Sequence, residues 1–183
     1  RNMYIAEQLK KRNISEYLLY MWQVEDTLRA YGLDSERMAN EYIPFFQLDE
    51  EKSELLKGWY ESLIQMMREE KAEEKGHLQI NKNILILLTD LPVQLLQSSK
   101  HPFYSAAYYK VLPFIVELRA KSAESQEKNE VENCFDALYG TMLLKMQKKE
   151  ISAETATAID NIAKFIGLLS DYYKKDKAGE VEF

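Results

Sequence analysis

Apolar side chains recur at intervals of three and four residues along most of the chain, which is the period of an α-helix. The period runs through NISEYLLYMWQVEDTLRAY near the start and HLQINKNILILLTDLPVQLLQ in the middle. Its clearest case is LLKGWYESLIQMM, where the apolar positions form one stripe: Leu55, Leu56, Trp59, Leu63, Met66 and Met67. Only 6 glycines and 4 prolines are present, too few for the turns of a β-fold. The pattern predicts an all-α bundle of about seven helices with short connections.

Capping residues indicate where several of these helices begin and end. Asn13, with Glu16 three residues later, has the spacing of a capping box at the start of the first long helix. Asp34 can cap a short helix that ends before Pro44, because the residue before a proline avoids the helical conformation. Asp49, followed by two acidic residues, is suited to the start of the next long helix.

The length of 183 residues fits one domain. We therefore assign residues 1–175 to a single helical domain and residues 176–183 to a flexible C-terminal tail. The N-terminal segment lacks the apolar core of a signal peptide, and the most apolar stretch, residues 83–89, is much shorter than a membrane span. A lone cysteine, Cys134, excludes an internal disulfide and predicts a buried structural thiol in a cytoplasmic protein.

The net charge of −6 and the isoelectric point near 5.2 argue against a partner that is a nucleic acid or an anionic membrane. Catalytic motifs are also missing from the sequence, which has no glycine-rich phosphate loop, nucleophile elbow or cysteine cluster. We therefore expect no cofactor.

Glu74 and His77 have the Glu-x-x-His spacing of carboxylate-bridged di-iron sites. Such sites need two of these pairs, and the chain has only two histidines, the second of which, His101, has Ser98 three residues before it. Gly76 also interrupts the helix on which the two ligands would share a face. We therefore predict a junction between two helices and no metal site.

A carboxylate falls within an apolar helix face near the start of the chain. At ~100° per residue, Glu25 shares the face of Leu18, Met21 and Leu28. In the next apolar stripe, His77 and Asn81 introduce polarity in the same way. Because a buried carboxylate needs a partner, we predict that Glu25 pairs with His77 or Asn81, or with one of the tyrosines. The group is either a structural polar contact or a pocket that binds a ligand or performs acid–base chemistry.

The segment HPFYSAAYYKVLPFIVELRA carries apolar residues on two opposite faces. One face holds Tyr104, Val111 and Ile115, and the opposite face holds Ala106, Tyr109, Pro113, Val116 and Ala120. A helix that is apolar on both sides is either central in its own domain or shared with a partner. Tyr109, Pro113 and Val116 are therefore candidate residues of a central helix or an interface, and Pro113 should kink the helix.

Three segments, YIAEQLKKRNISEYLLYMWQVED, EKGHLQINKN and HPFYSAAYYKVLPFIVELRAKS, resemble a bacterial family of small all-helical proteins classed as a domain of unknown function. The resemblance runs from about Tyr4 to Tyr173. It implies a stand-alone cytoplasmic helical protein and supplies no activity, cofactor or catalytic residue.

The leading hypothesis from the sequence is a non-enzymatic interaction or scaffolding protein that can associate with itself or with a protein partner. The alternative is a small-molecule-binding protein or an enzyme with a polar pocket near Glu25, His77 and Asn81. An exposed apolar face would favour the first hypothesis, and a concave pocket that contains these three side chains would favour the second.

Overall fold

The structure, a computed structural model, describes residues 2–183. In this part of the chain there are nine α-helices and no β-strand, which confirms the all-α prediction. The helices are α1 (Met3–Arg12), α2 (Ile14–Ala30), α3 (Ser35–Arg37), α4 (Glu50–Glu69), α5 (Gln79–Gln97), α6 (Pro102–Ala120), α7 (Ala123–Glu127), α8 (Glu130–Met146) and α9 (Ala153–Lys177). None of the described helices combines the length and the apolar character needed to cross a bilayer.

The chain divides into two compact units. Unit 1 consists of Arg1–Arg12 and Glu16–Ile84, and unit 2 of Asn13–Ser15 and Leu85–Phe183. The single domain over residues 1–175 and the flexible tail stay predictions, and residue 1 of that domain lies outside the described residues. Within unit 2, the chain beyond α9 contacts the start of α6, because His101 Nε2 donates to the backbone carbonyl of Glu182 at 2.6 Å.

Helices α2 and α4 supply much of the core of unit 1. The predicted phase of α2 is confirmed, since Leu18, Met21 and Leu28 are at most 1% exposed. The predicted stripe of α4 is only partly right, because Leu55 is 57% exposed and Trp59 is half-buried. The buried face of α4 consists of Leu56, Tyr60, Leu63, Ile64 and Met67. It is rotated relative to the predicted stripe, which did not include Tyr60 and Ile64.

The prediction that Asp34 caps a short helix that ends before Pro44 is confirmed, since α3 ends at Arg37. Asp34 accepts hydrogen bonds from the backbone N–H groups of Glu36 and Arg37. The chain then continues as a π-helix over Met38–Tyr42 and a 3₁₀-helix over Ile43–Phe46. Pro44 lies at the start of this last turn, where a missing N–H leaves no hydrogen bond unmade.

The core of unit 2 forms where α6, α8 and α9 pack together. Its fully buried members include Val111 and Ile115 from α6, Phe135 from α8, and Leu169 from α9. Cys134 is buried as predicted, and burial, together with the charge of Glu130, raises the pKa of its thiol to about 12. A thiol in this environment stays protonated at neutral pH.

Candidate functional site

The end of α4 and the start of α5 enclose a loop of nine residues, 70–78. Lys71 adopts a left-handed conformation (φ 57°), and the N–H of Ala72 donates to the carbonyl of Met67 while that of Lys71 donates to Arg68. This is a Schellman motif, which satisfies the last carbonyls of α4 and turns the chain away from the helix. Gly76, with φ 88°, makes a second sharp turn.

Glu74 and His77 both lie in this loop, outside the helices on either side. The predicted helix junction is therefore confirmed, and the two side chains do not share a helix face. In residues 2–183, no group of three or more His, Cys, Asp or Glu side chains is placed to hold a metal ion. The absence of a metal in the working protein stays a prediction.

The Glu25 side chain on α2 is brought to the end of the same loop. It is 1% exposed, and its two oxygens receive three hydrogen bonds. Oε1 accepts from His77 Nδ1 at 2.7 Å, while Oε2 accepts from the backbone N–H of Leu78 at 2.8 Å and from Asn81 Nδ2 at 2.9 Å. The structure thus places Glu25, His77 and Asn81 together, and the carboxylate also serves as a tertiary cap for the start of α5.

Arg29, one helical turn after Glu25, holds the other part of the loop. Its guanidinium donates to the carbonyls of Ala72 and Gly76 and pairs with Asp26 at 3.0 Å. Glu25 and Arg29, four residues apart on α2, therefore bind the same loop in opposite ways. Glu25 accepts a hydrogen bond from a backbone N–H group of the loop, and Arg29 donates to its backbone carbonyls. The role of Arg29 could not be predicted from the sequence, because its main partners are backbone carbonyls, which no residue type reveals.

His77 contacts more than Glu25. Its ring stacks on Trp22, with centroids 4.2 Å apart and an interplanar angle of 13°, and its side chain is 30% exposed. The Nδ1 atom must carry the proton that reaches Glu25, since a carboxylate only accepts. A carboxylate–imidazole pair of this kind can orient a general base. Here, however, every hydrogen bond of the carboxylate also connects α2 to the loop or to α5, so the geometry favours a structural task.

The second candidate group lies on α6, where the two apolar faces differ sharply in burial. Tyr104, Val111 and Ile115 are at most 2% exposed, whereas Tyr109 is 64% and Val116 57% exposed. We call the exposed set the outer α6 face, defined as Ala106, Tyr109, Pro113, Val116 and Ala120, all of them exposed. Within unit 2, α6 packs against α7, α8 and α9, and both the central-helix and the interface interpretations stay predictions. The helix continues through Pro113 without a break.

Two opposite charges flank this face. Lys110 and Glu117 are both exposed and stand seven residues apart, which is two helical turns or about 10 Å along the axis. At ~100° per residue they project from the same edge of the outer α6 face. The face is therefore an apolar strip with one positive and one negative group on one side.

Comparison with known protein families matches residues 3–180 to the family described as Domain of unknown function (DUF4924), and the chain belongs to this family. Comparison with curated proteins and with solved structures gives no match. The match confirms the family resemblance expected from the sequence, and the family description assigns no activity.

Proposed function

We propose that this member of the DUF4924 family is a non-enzymatic interaction protein that associates with a second copy of itself through the outer α6 face. The observation that carries the proposal is the exposure of an apolar strip on a helix whose opposite side is buried at Tyr104, Val111 and Ile115. Exposed apolar strips of this kind mark interaction sites on folded proteins. Phe103, at the start of the same helix and 83% exposed, enlarges the apolar surface.

The pattern of the face favours a second copy as the partner. If two α6 helices cross antiparallel about a two-fold axis near Pro113, Ala106 of one copy meets Ala120 of the other. The same rotation places Lys110 opposite Glu117, and it does so twice, because a two-fold axis perpendicular to both helices keeps each edge on its own side. An isologous interface requires self-complementarity of this form, and the small alanines allow close approach of the helices.

The alternative function, a polar pocket at Glu25, His77 and Asn81, has weaker support. A ligand at this group would have to compete with donors that already fill the Glu25 carboxylate. Removal of any one of these contacts would leave the buried charge of Glu25 with fewer hydrogen-bond partners, which is costly. The part-exposed His77 ring is the feature that would support this alternative.

The proposal includes a cytoplasmic location. Its support is the single cysteine, which the fold keeps buried, as is typical of proteins that work without disulfides.

The proposal is tested by sedimentation velocity on Val116→Glu and on a matched control. We expect the unchanged protein to sediment as a dimer at micromolar concentration and Val116→Glu to sediment as a monomer, because a buried unpaired charge opposes association. The control is Leu144→Glu, which changes an exposed apolar residue on α8 outside the outer α6 face and should leave the dimer intact. A monomeric unchanged protein, or equal effects of the two substitutions, would contradict the proposal.

A further inference from the structure

A short apolar segment of unit 1 lies on the surface instead of in the core. Residues 42–48, YIPFFQL, comprise the last residue of the π-helix, the 3₁₀-helix and the two residues that follow. Of the six apolar side chains in this segment, only Ile43 is buried, at 4% exposed. Phe45 is 77% exposed, and Pro44 beside it is exposed as well. We call this segment the 42–48 patch, since exposed apolar surface of this kind marks interaction sites on folded proteins.

The residues around Phe45 hold the patch in a fixed conformation. Ile43 anchors the start of the 3₁₀-helix in the core of unit 1. The ring of Phe46 packs edge-on against Tyr42, with centroids 5.2 Å apart and an interplanar angle of 86°. Tyr42 in turn contacts Tyr60 of α4, which is fully buried, at a centroid distance of 6.3 Å. Phe45 is therefore presented to solvent by a rigid turn, so a partner that binds it has little backbone entropy to remove.

The backbone departs from a regular helix on both sides of Phe45. Before it, Met38–Tyr42 forms a π-helix, a rare conformation that is frequent at functional sites. After it, Gln47 adopts a left-handed conformation (φ 52°), and its N–H donates to the Pro44 carbonyl at 3.2 Å. This conformation costs free energy in any residue other than glycine, and residues that adopt it are concentrated at binding sites. The two departures together indicate that the turn is shaped to expose Phe45.

The charged residues next to the patch are mainly acidic. Residues 49–54, DEEKSE, contain four acids and one lysine, and the exposed side chains of Glu50 and Glu51 form no salt bridge with any described residue. On the other side of the patch, Arg37 is already paired with Glu41 at 3.0 Å. The positive end of α4 stabilises the acids without cancelling their charge. A positively charged partner is therefore attracted to this surface, and an anionic one is repelled.

We infer that the 42–48 patch docks a basic segment of a partner protein. Phe45 inserts between apolar side chains of that segment, and the lysines or arginines of the segment face Glu50 and Glu51. An aromatic anchor at the centre, with charged groups at the rim, is the usual anatomy of a protein interface. The patch belongs to unit 1 and shares no residue with the outer α6 face, so the inference does not rest on the proposed self-association.

The test uses a short synthetic peptide of alternating lysine and leucine pairs, whose binding to the full chain is measured by fluorescence anisotropy. Two control peptides carry glutamate in place of the lysines or serine in place of the leucines. We expect saturable binding of the lysine–leucine peptide alone, and binding that weakens as the salt concentration rises. Phe45→Ala should weaken it by about tenfold or more, the effect of losing an aromatic anchor. The control Ile86→Ala, which shortens a side chain 52% exposed on α5, should leave it unchanged.

Amide NMR of the labelled protein locates the bound peptide, and the largest shift changes should fall on residues 42–51. Thermal denaturation of Phe45→Ala should match that of the unchanged protein, because the ring is exposed, so unfolding does not account for lost binding. The inference is overturned if the lysine–leucine peptide does not bind saturably, or if either control peptide binds equally well. It is also overturned if Phe45→Ala binds like the unchanged protein, or if the shift changes lie in unit 2. Sedimentation of Phe45→Ala should be unaltered, so this inference and the proposed self-association can fail separately.

Discussion

The Glu25 carboxylate serves a backbone N–H, an imidazole and a side-chain amide at the same time. Each donor is held at the junction of α4 and α5, and the carboxylate that receives them is only 1% exposed. A glutamine at this position would keep one acceptor oxygen. Its N–H₂ group would replace the other oxygen and would face a donor group with which it cannot form a hydrogen bond. A leucine would leave all three donors without an acceptor, and buried unsatisfied donors are the costly case.

We therefore expect Glu25→Gln to lower the free energy of unfolding by about 1–3 kcal/mol and Glu25→Leu to lower it further. Chemical denaturation of both variants measures the effect. Glu54→Gln is the control, since Glu54 is an exposed acid on α4, and its effect should stay within about 0.5 kcal/mol. A Glu25→Leu protein as stable as the unchanged one would show that the contacts of Glu25 carry no net stability.

A second prediction at this scale concerns the Tyr108 phenol. Burial, with the hydrogen bond to Glu130 and its charge, raises the pKa of Tyr108 to about 12 from the ordinary value of 10.0. The protonated phenol is thus favoured in the folded state, and its contribution to stability is fully present below pH 10 and lost as the pH rises toward 12. The unfolding free energy should fall less steeply over this interval in Tyr108→Phe than in the unchanged protein. Equal slopes would contradict the assignment.

The sequence was sufficient to predict that Glu25 needs a partner and that His77 and Asn81 were suitable, because helical period alone places a charge among apolar residues. It could not predict the role of Arg29, since a basic residue in the last turn of a helix is ordinary.

At the scale of elements, α4 and α8 end in the same way. Lys71 and Lys148 both have φ of 57°, and the residue after each donates back across the last turn, Ala72 to Met67 and Lys149 to Leu144. In this left-handed position glycine is the favoured residue, because any Cβ is crowded there. Both helices therefore terminate at a cost that a single substitution can relieve.

Lys148→Gly should raise the free energy of unfolding, by about 0.5–1 kcal/mol. The matched control is Lys145→Gly, three residues earlier in the last turn of α8, where glycine should lower stability by a similar amount. Thermal denaturation of the two variants gives the comparison. Loss of stability in both would mean that the left-handed conformation at Lys148 carries no strain.

Long helices with strong periods were predictable, and short or weakly patterned ones were not. Helix α1 was missed because Ala6 is its only buried residue, so it has no apolar stripe for a period to reveal. The five-residue α7 was missed because its sequence, AESQE, is entirely polar apart from one alanine. The π- and 3₁₀-helices before α4 could not be predicted, since the residues around Pro44 indicate only that a regular α-helix is disfavoured.

For the whole molecule, the sequence predicted two apolar faces on α6 and left open which neighbour each one has. The structure separates them, because one face is packed within unit 2 and the other is exposed. The partner of the outer α6 face depends on how the protein assembles, and a local sequence pattern cannot identify it. The charges at its edge, Lys110 and Glu117, make the proposed dimer specific enough to test.

The most direct test is a charge exchange measured by sedimentation equilibrium at low ionic strength. Lys110→Glu and Glu117→Lys should each weaken the dimer by about tenfold, because each places like charges opposite one another at two symmetric positions. The double variant Lys110→Glu/Glu117→Lys should regain an affinity close to that of the unchanged protein, while the control Lys149→Glu should leave association unaltered. Self-association through the outer α6 face would be contradicted by single variants that dimerise normally, or by a double variant that stays as weak as the single ones.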